Sequence, residues 1–217
     1  MAKLKPGATT KQDLVEYLEG YSDFSFELSV LKMLIEHDVK CNHGGHYVDP
    51  VTNKSREFDI RAIKTIDQYR VRMSIECKNI RENFPIIVSS VPRREEESYH
   101  QVALVRERKH DSGTFYNPMI PSSRARILEI RGPQSLYITG DPVGKSTVQV
   151  GRAQDGSITS NDSELYEKWG QSLSSLHEMA SDIYWDGDED DPLDSYVSAA
   201  LPYVVVPDGR LWMASYD

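Results

Sequence analysis

Two consecutive segments in which apolar and polar residues alternate constrain the fold of this chain more than any other feature. Residues 57–66 and 70–78 each show a period of two, which is typical of β-strands that bury one face. Asp67-Gln68 between them predicts the turn of a hairpin. We therefore expect an antiparallel pair of strands, each with one polar face.

Three charged residues are expected on the polar face of this hairpin. Alternation places Glu76 and Lys78 on one face of the second strand, and Asp59 on the polar face of the first. Two carboxylates that approach each other repel unless a cation lies between them, and oxygen ligands suit Mg²⁺ or Mn²⁺. Phosphodiester hydrolysis needs such a metal ion and a cation that stabilises developing negative charge. The sequence thus predicts Asp59 and Glu76 as metal ligands and Lys78 as a catalytic cation.

Glu27 is a further candidate for the same site. It falls on the apolar stripe of a predicted helix, at helical spacing from Val30, Leu31 and Leu34. An unpaired carboxylate on a buried helix face is costly. We therefore expect a metal site or a buried cation beside Glu27.

The pattern Asp59 … Glu76-Cys77-Lys78 resembles the PD-(D/E)xK superfamily of restriction-endonuclease-like nucleases over about residues 22–105. The resemblance implies a fold of the α/β class (α+β in some schemes), with a central mixed sheet flanked by helices. It also implies an acidic residue from the preceding helix, which Glu27 matches, and a polar residue from the following helix, for which Gln101 is the candidate. Phe58 stands where the family motif has proline.

The remaining pattern predicts one domain over residues 11–217 behind a flexible arm, residues 1–10, with the catalytic core within about 22–105. Helical spacing predicts two helices within residues 11–37, broken near Gly20. Residues 93–105 favour a helix, up to about residue 103, that runs into a strand. The elaboration over about residues 110–217 is expected to contain a helix near 163–183 and a hairpin between 201–206 and 211–216.

The distribution of charge decides which partner is plausible. The net charge is −9, but residues 51–150 contain 17 lysines and arginines against 12 acids, while residues 151–217 contain 3 against 14. A basic middle segment suits a polyanion, so nucleic acid, DNA before RNA, is the expected partner. The candidate phosphate contacts are Arg93, Arg94, Arg124 and Arg126.

The location of the protein follows from two further features of the sequence. No apolar stretch is long enough for a membrane span, and the first twenty residues do not form a secretory signal. We expect a cytoplasmic protein whose two cysteines, Cys41 and Cys77, are reduced thiols.

Several other patterns have weaker support. Residues 140–147 lack the glycine spacing and the following helix of a phosphate-binding P-loop, and the acids of 186–191 lack the remaining ligands of a calcium loop. A zinc site is conceivable from His37, Cys41, His43 and His46, although loop histidines explain them as well.

Two broader alternatives to an active nuclease remain. The charges of the hairpin can form ordinary cross-strand ion pairs. A nuclease-like fold can also serve as a catalytically inactive nucleic-acid-binding or assembly subunit, in a homo-oligomer or with a partner chain. Analogy with the family favours prokaryotic restriction or antiphage defence.

Overall fold

The computed structural model describes residues 7–67, 69–110, 113–118, 127–182 and 195–217. Its helices are α1 (Lys11–Gly20), α2 (Asp23–Glu36) and α3 (Ser163–Asp182), with short 3₁₀ turns at Glu95–Glu97 and Gly132–Gln134. Its strands are β1 (Lys40–Val48), β2 (Ser55–Ile66), β3 (Tyr69–Cys77), β4 (Ile86–Pro92), β5 (Tyr99–His110), β6 (Gly113–Pro118), β7 (Ile127–Arg131), β8 (Pro142–Arg152), β9 (Ile158–Asn161), β10 (Ser195–Val205) and β11 (Leu211–Ser215).

The larger sheet has the strand order β1-β2-β3-β10-β5-β6, with β7 also beside β5. Strands β1, β2 and β3 are antiparallel neighbours, and Ile60 of β2 lies opposite Ile75 of β3. Strand β10 pairs with β3 in parallel, so the sheet is mixed. The predicted hairpin and the α/β class with a central mixed sheet are confirmed.

Helices α2 and α3 cover opposite faces of this sheet. Val30 of α2 packs against an apolar cluster formed by Ile60, Ala62, Ile75 and Cys77. Because side chains alternate along a strand, Ser74 and Glu76 point to the other face. Ser172 Oγ of α3 donates a hydrogen bond to the Ser74 carbonyl there, at 2.8 Å. The site residues of β3 therefore face α3.

Helix α3 confirms the predicted C-terminal helix but turns a different face inward. Helical spacing places the apolar Trp169 and Leu173 on one stripe of this helix, yet both are exposed, whereas Ser172 and Ser175 are fully buried. The sheet face that meets α3 carries polar residues, and Arg61 donates to Ser175 Oγ at 3.0 Å. Small hydroxyl side chains satisfy those groups and let the helix approach closely.

A smaller sheet has the order β11-β4-β8-β9. The predicted hairpin between residues 201–206 and 211–216 is wrong, because β10 lies in the larger sheet and β11 pairs in parallel with β4. The Asp-Gly turn itself forms, with Gly209 at φ 70°. The two flanking strands then diverge, since each has its hydrogen-bonding partner in a different sheet.

The predicted helix over residues 93–103 is also wrong. Glu95–Glu97 forms one 3₁₀ turn, after which β5 begins at Tyr99. Strand β5 pairs with β7, β10 and β6, so non-local hydrogen bonds override the helical propensity of its charged start. Within the described ranges, no helix is long and apolar enough to cross a membrane.

Candidate functional site

The structure brings Asp59 and Glu76 together around a lysine of α3. Lys168 Nζ lies 2.9 Å from Asp59 Oδ2 and 2.9 Å from Glu76 Oε2. The Lys168 side chain is 20% exposed, whereas the Glu76 side chain is 1% exposed. Two carboxylates thus share one positive charge where little water can screen their repulsion.

Asp59 is held in place by the main chain of β3. The regular pairing of β2 with β3 runs from Ile66 to Ile60, one residue short of Asp59. Beyond that point the backbone N–H of Cys77 donates to Asp59 Oδ2 at 2.7 Å. A carboxylate that accepts both this bond and the bond from Lys168 has a fixed orientation.

The surroundings of Glu76 disfavour its ionised form. Its Oε1 atom is buried and has no hydrogen-bond partner among the residues that the structure describes. Burial and then the charge of Asp59 raise the pKa of Glu76 to about 7, although Lys168 acts in the opposite direction. An additional cation at this oxygen would stabilise the ionised carboxylate.

Lys168 stays protonated despite its burial. Burial alone disfavours the charged form, but the carboxylates of Glu76 and Asp59 outweigh it and raise the pKa of Lys168. The contact of Lys168 with Asp59 and Glu76 joins residues far apart in the sequence, so the sequence alone did not predict it. The available signal was weak: Lys168 is the one lysine within residues 151–217.

Glu27 lies at the edge of this charge cluster, on α2. Its Oε2 is 3.4 Å from His43 Nε2. Burial and then the charge of Asp59 raise the pKa of Glu27, while His43 and Lys168 lower it. Glu27 therefore interacts electrostatically with the site, with His43 as its hydrogen-bond partner.

Lys78 lies beside the start of α2 rather than between the two carboxylates. Its Nζ is 2.9 Å from Asp23 Oδ2, and the backbone N–H of Asn79 donates to Asp23 Oδ1 at 2.9 Å. Asp23 is the first residue of α2. These contacts attach the end of β3 to the helix that carries Glu27.

A cleft of about 620 Å³ opens onto Asp59 and Lys168. His46, Arg56 and Gln171 also line it, so its wall contains cationic and hydrogen-bonding groups. Asp59 and Lys168 are therefore reachable from solvent along the side of α3, and Glu76 lies buried behind them. A cleft of this volume is large enough to admit one nucleotide unit of a polymer.

The other candidate phosphate contacts lie elsewhere or outside the described ranges. Gln101 is exposed on β5 opposite Glu129, so it is not on a helix beside the site. The guanidinium carbon of Arg93 lies 4.7 Å from the ring centroid of Tyr137, and Arg94 contacts Glu96 and Glu97. Arg124, Arg126 and the acids of 186–191 fall outside the described residues.

The alternative patterns have ordinary structural explanations where the structure describes them. The P-loop-like residues continue into strand β8, and Lys145 Nζ lies 2.7 Å from Glu97 Oε1. Among the described residues, no three His, Cys, Asp or Glu side chains converge as a ready metal site. Of the zinc candidates, His43 contacts Glu27 and His46 contacts Glu57.

Comparison of the chain with family models, curated proteins and solved structures gave no match.

Glu76 is expected to make the protein less stable as the pH rises from about 5 to about 8. Glutamate ionises with a pKa of 4.5 in the reference state and about 7 in the folded protein, so the folded state binds more protons in between. The loss of unfolding free energy from this group is on the order of 3 kcal/mol. Urea unfolding across this pH range should show a smaller decline for Glu76→Gln than for the wild type. Equal declines would contradict the assignment of this pH dependence to Glu76.

Proposed function

We propose that this chain is a metal-dependent nuclease that hydrolyses phosphodiester bonds, with DNA as its first expected substrate. The observation that carries the proposal is the buried Glu76 carboxylate, whose Oε1 has no hydrogen-bond partner in the described part of the chain, beside Asp59, which lines an open cleft. Nearby carboxylates of this kind are characteristic of sites that hold a cation.

The donor set suits Mg²⁺ or Mn²⁺. Mg²⁺ is commonly held by one or two carboxylates, with water and substrate phosphate oxygens completing its coordination. Asp59 and Glu76 would be those ligands, and Glu27 contributes negative charge behind them. When bound, such an ion polarises the phosphate and lowers the pKa of a coordinated water.

The residues around the metal ligands have separate roles in this proposal. The Cys77 N–H fixes the orientation of Asp59, so the ligand needs no rearrangement during the reaction. The Lys168 ammonium binds the phosphate as negative charge develops and balances the excess charge of the two carboxylates. Lys78 forms an ion pair with Asp23 and contributes positive charge to the neighbouring surface. Its catalytic role stays a prediction.

The arrangement of elements supports the restriction-endonuclease-like core. Helix α2 precedes β1, β2 and β3, and the next helix to cover this sheet is α3, on the opposite face. The resemblance implies a polar residue from the following helix near the phosphate. Lys168 and Gln171 of α3 line the cleft and fit that role, whereas Gln101 on β5 does not.

A cleavage assay tests the proposal. Purified protein is incubated with supercoiled plasmid and with single-stranded oligonucleotide in Mg²⁺, Mn²⁺, Ca²⁺ or a chelator. We expect cleavage with Mg²⁺ or Mn²⁺ and none with the chelator. RNA oligonucleotide is assayed in the same way. Undiminished cleavage in the chelator, or no cleavage of either DNA or RNA under any condition, would reject the metal-dependent nuclease.

A catalytically inactive binding or assembly subunit is the second candidate, and the position of Lys168 favours it. An ammonium 2.9 Å from both carboxylates neutralises part of their charge without a metal ion. Calorimetric titration with Mn²⁺ separates the two candidates. The nuclease proposal expects one Mn²⁺ site that is absent in Asp59→Asn, whereas the inactive subunit binds no Mn²⁺ there.

A further inference from the structure

A cavity of about 440 Å³ lies just beyond the end of β3. The corner between α1 and α2, the segment of residues 78–84 and strand β8 form its walls. Lys78 is one of its lining residues. Lys78 follows Glu76 by two residues, so their Cα atoms are roughly 7 Å apart along an extended chain. The cavity therefore lies close in the chain to Glu76, on the side of α2, whereas the cleft at Asp59 and Lys168 lies along α3.

Gln149 provides a buried acceptor in this cavity. The residue is 2% exposed, and its Nε2 donates to the Phe84 carbonyl at 3.3 Å. Its Oε1 is buried and has no hydrogen-bond partner among the described residues. Leaving a buried acceptor unpaired is costly, so this atom is a specific place for a donor on a ligand.

The remaining lining residues supply an aromatic ring and positive charge. Tyr21 is half exposed, and the Arg81 guanidinium lies 5.4 Å from its ring centroid. Lys78, Arg81 and Arg152 give three cations against the single carboxylate of Asp23. An aromatic ring, a hydrogen-bond acceptor and a cationic rim together suit a base linked to a phosphate.

The wall that carries Gln149 is closely packed. A methyl group at Gly151 of β8 would lie 2.7 Å from the Asn83 carbonyl oxygen and 2.7 Å from the Phe84 ring. Strand β8 and residues 83–84 therefore leave little space between them. Because the Phe84 carbonyl accepts a hydrogen bond from Gln149 Nε2, the orientation of the Gln149 amide is fixed.

We infer that this cavity binds one unstacked nucleotide of the substrate strand, and that Gln149 selects bases bearing an amino group. The inference rests on the proposed nuclease function. A base inside a duplex cannot enter such a cavity, so the substrate class is single-stranded nucleic acid or a site with an unpaired nucleotide. Adenine, cytosine and guanine carry an amino group that can donate to Oε1, whereas thymine has no amino group and presents two carbonyl oxygens beside its single N3–H.

Nucleotide binding to the wild-type protein, without metal, tests this inference directly. Deoxyadenosine monophosphate is compared with the matching purine nucleotide that lacks the 6-amino group, and with thymidine monophosphate. We expect the two ligands without an amino group to bind about tenfold more weakly. Equal affinity for all three nucleotides, or no binding of any, would overturn the inference.

Substitutions in the chain give an independent test. Gln149→Met removes the acceptor and is expected to abolish the preference, while the exposed Gln154→Met serves as the matched control. Arg152→Gln is expected to weaken all nucleotides by a similar factor. A preference that survives in Gln149→Met with an unchanged thermal midpoint would contradict the role of Gln149.

Failure of this inference and failure of the nuclease proposal are distinguishable. Amino-selective nucleotide binding by a protein that cleaves nothing would support the cavity assignment and reject the nuclease. Metal-dependent cleavage without nucleotide binding or base preference would retain the nuclease and reject the cavity.

Discussion

Asp59→Asn is expected to lower the rate of phosphodiester cleavage at least about a thousandfold while leaving the protein folded. The asparagine amide can still accept the hydrogen bond from the Cys77 N–H, so the local geometry is retained. It cannot supply the negative charge that a divalent cation and Lys168 require. Single-turnover cleavage with saturating Mn²⁺ measures the loss.

Asp67→Asn is the matched control for this substitution. Asp67 is exposed in the turn after β2 and has φ 52°, a conformation that asparagine also tolerates. Its cleavage rate should equal that of the wild type. If Asp59→Asn retained cleavage within tenfold of Asp67→Asn, Asp59 would not be a ligand of the catalytic metal.

Lys168→Met is expected to reduce cleavage about 100-fold to 1,000-fold and to lower the unfolding free energy at pH 8 by about 3 kcal/mol. Methionine is nearly as long as lysine but has no charge. The substitution leaves Asp59 and the buried Glu76 without their shared cation. At pH 6 the stability deficit should be smaller, because Glu76 becomes protonated as the pH falls below about 7.

Lys78→Met tests whether Lys78 or Lys168 is the catalytic cation. Its partner Asp23 is 42% exposed, so losing this ion pair should cost less than about 1 kcal/mol. We expect its cleavage rate to fall less than about tenfold, because Nζ contacts the start of α2 rather than the carboxylate pair. A larger effect for Lys78→Met than for Lys168→Met would return the catalytic cation to Lys78. Cleavage and urea unfolding are measured on both variants.

Local sequence signals predicted the parts of the site that are close together in the chain. Alternation defined β2 and β3, and a short turn between them brought Asp59 and Glu76 to neighbouring positions. The alternation of side chains along the two strands therefore predicted which carboxylates lie close together. Glu27 was likewise recognisable from its place on a helical stripe, although its partner His43 was not.

The parts of the site and the fold that the sequence did not predict depend on contacts between distant segments. Lys168 meets β2 and β3 across intervals of 109 and 92 residues, which no local period encodes. Strand β10 enters the sheet beside β3 for the same non-local reason, so an apparent C-terminal hairpin separates into two sheets. The buried face of α3 could not be assigned because it faces polar groups of the sheet rather than an apolar core.

The parallel pairing of β10 with β3 has a consequence for biosynthesis. Val204 of β10 lies beside Glu76, and Lys168 belongs to the helix that immediately precedes the connection to β10. A nascent chain that has emerged only as far as β9 contains both carboxylates but neither their ammonium partner nor the strand that covers the second edge of β3. The ribosome must deliver the C-terminal segments before these groups can form one site.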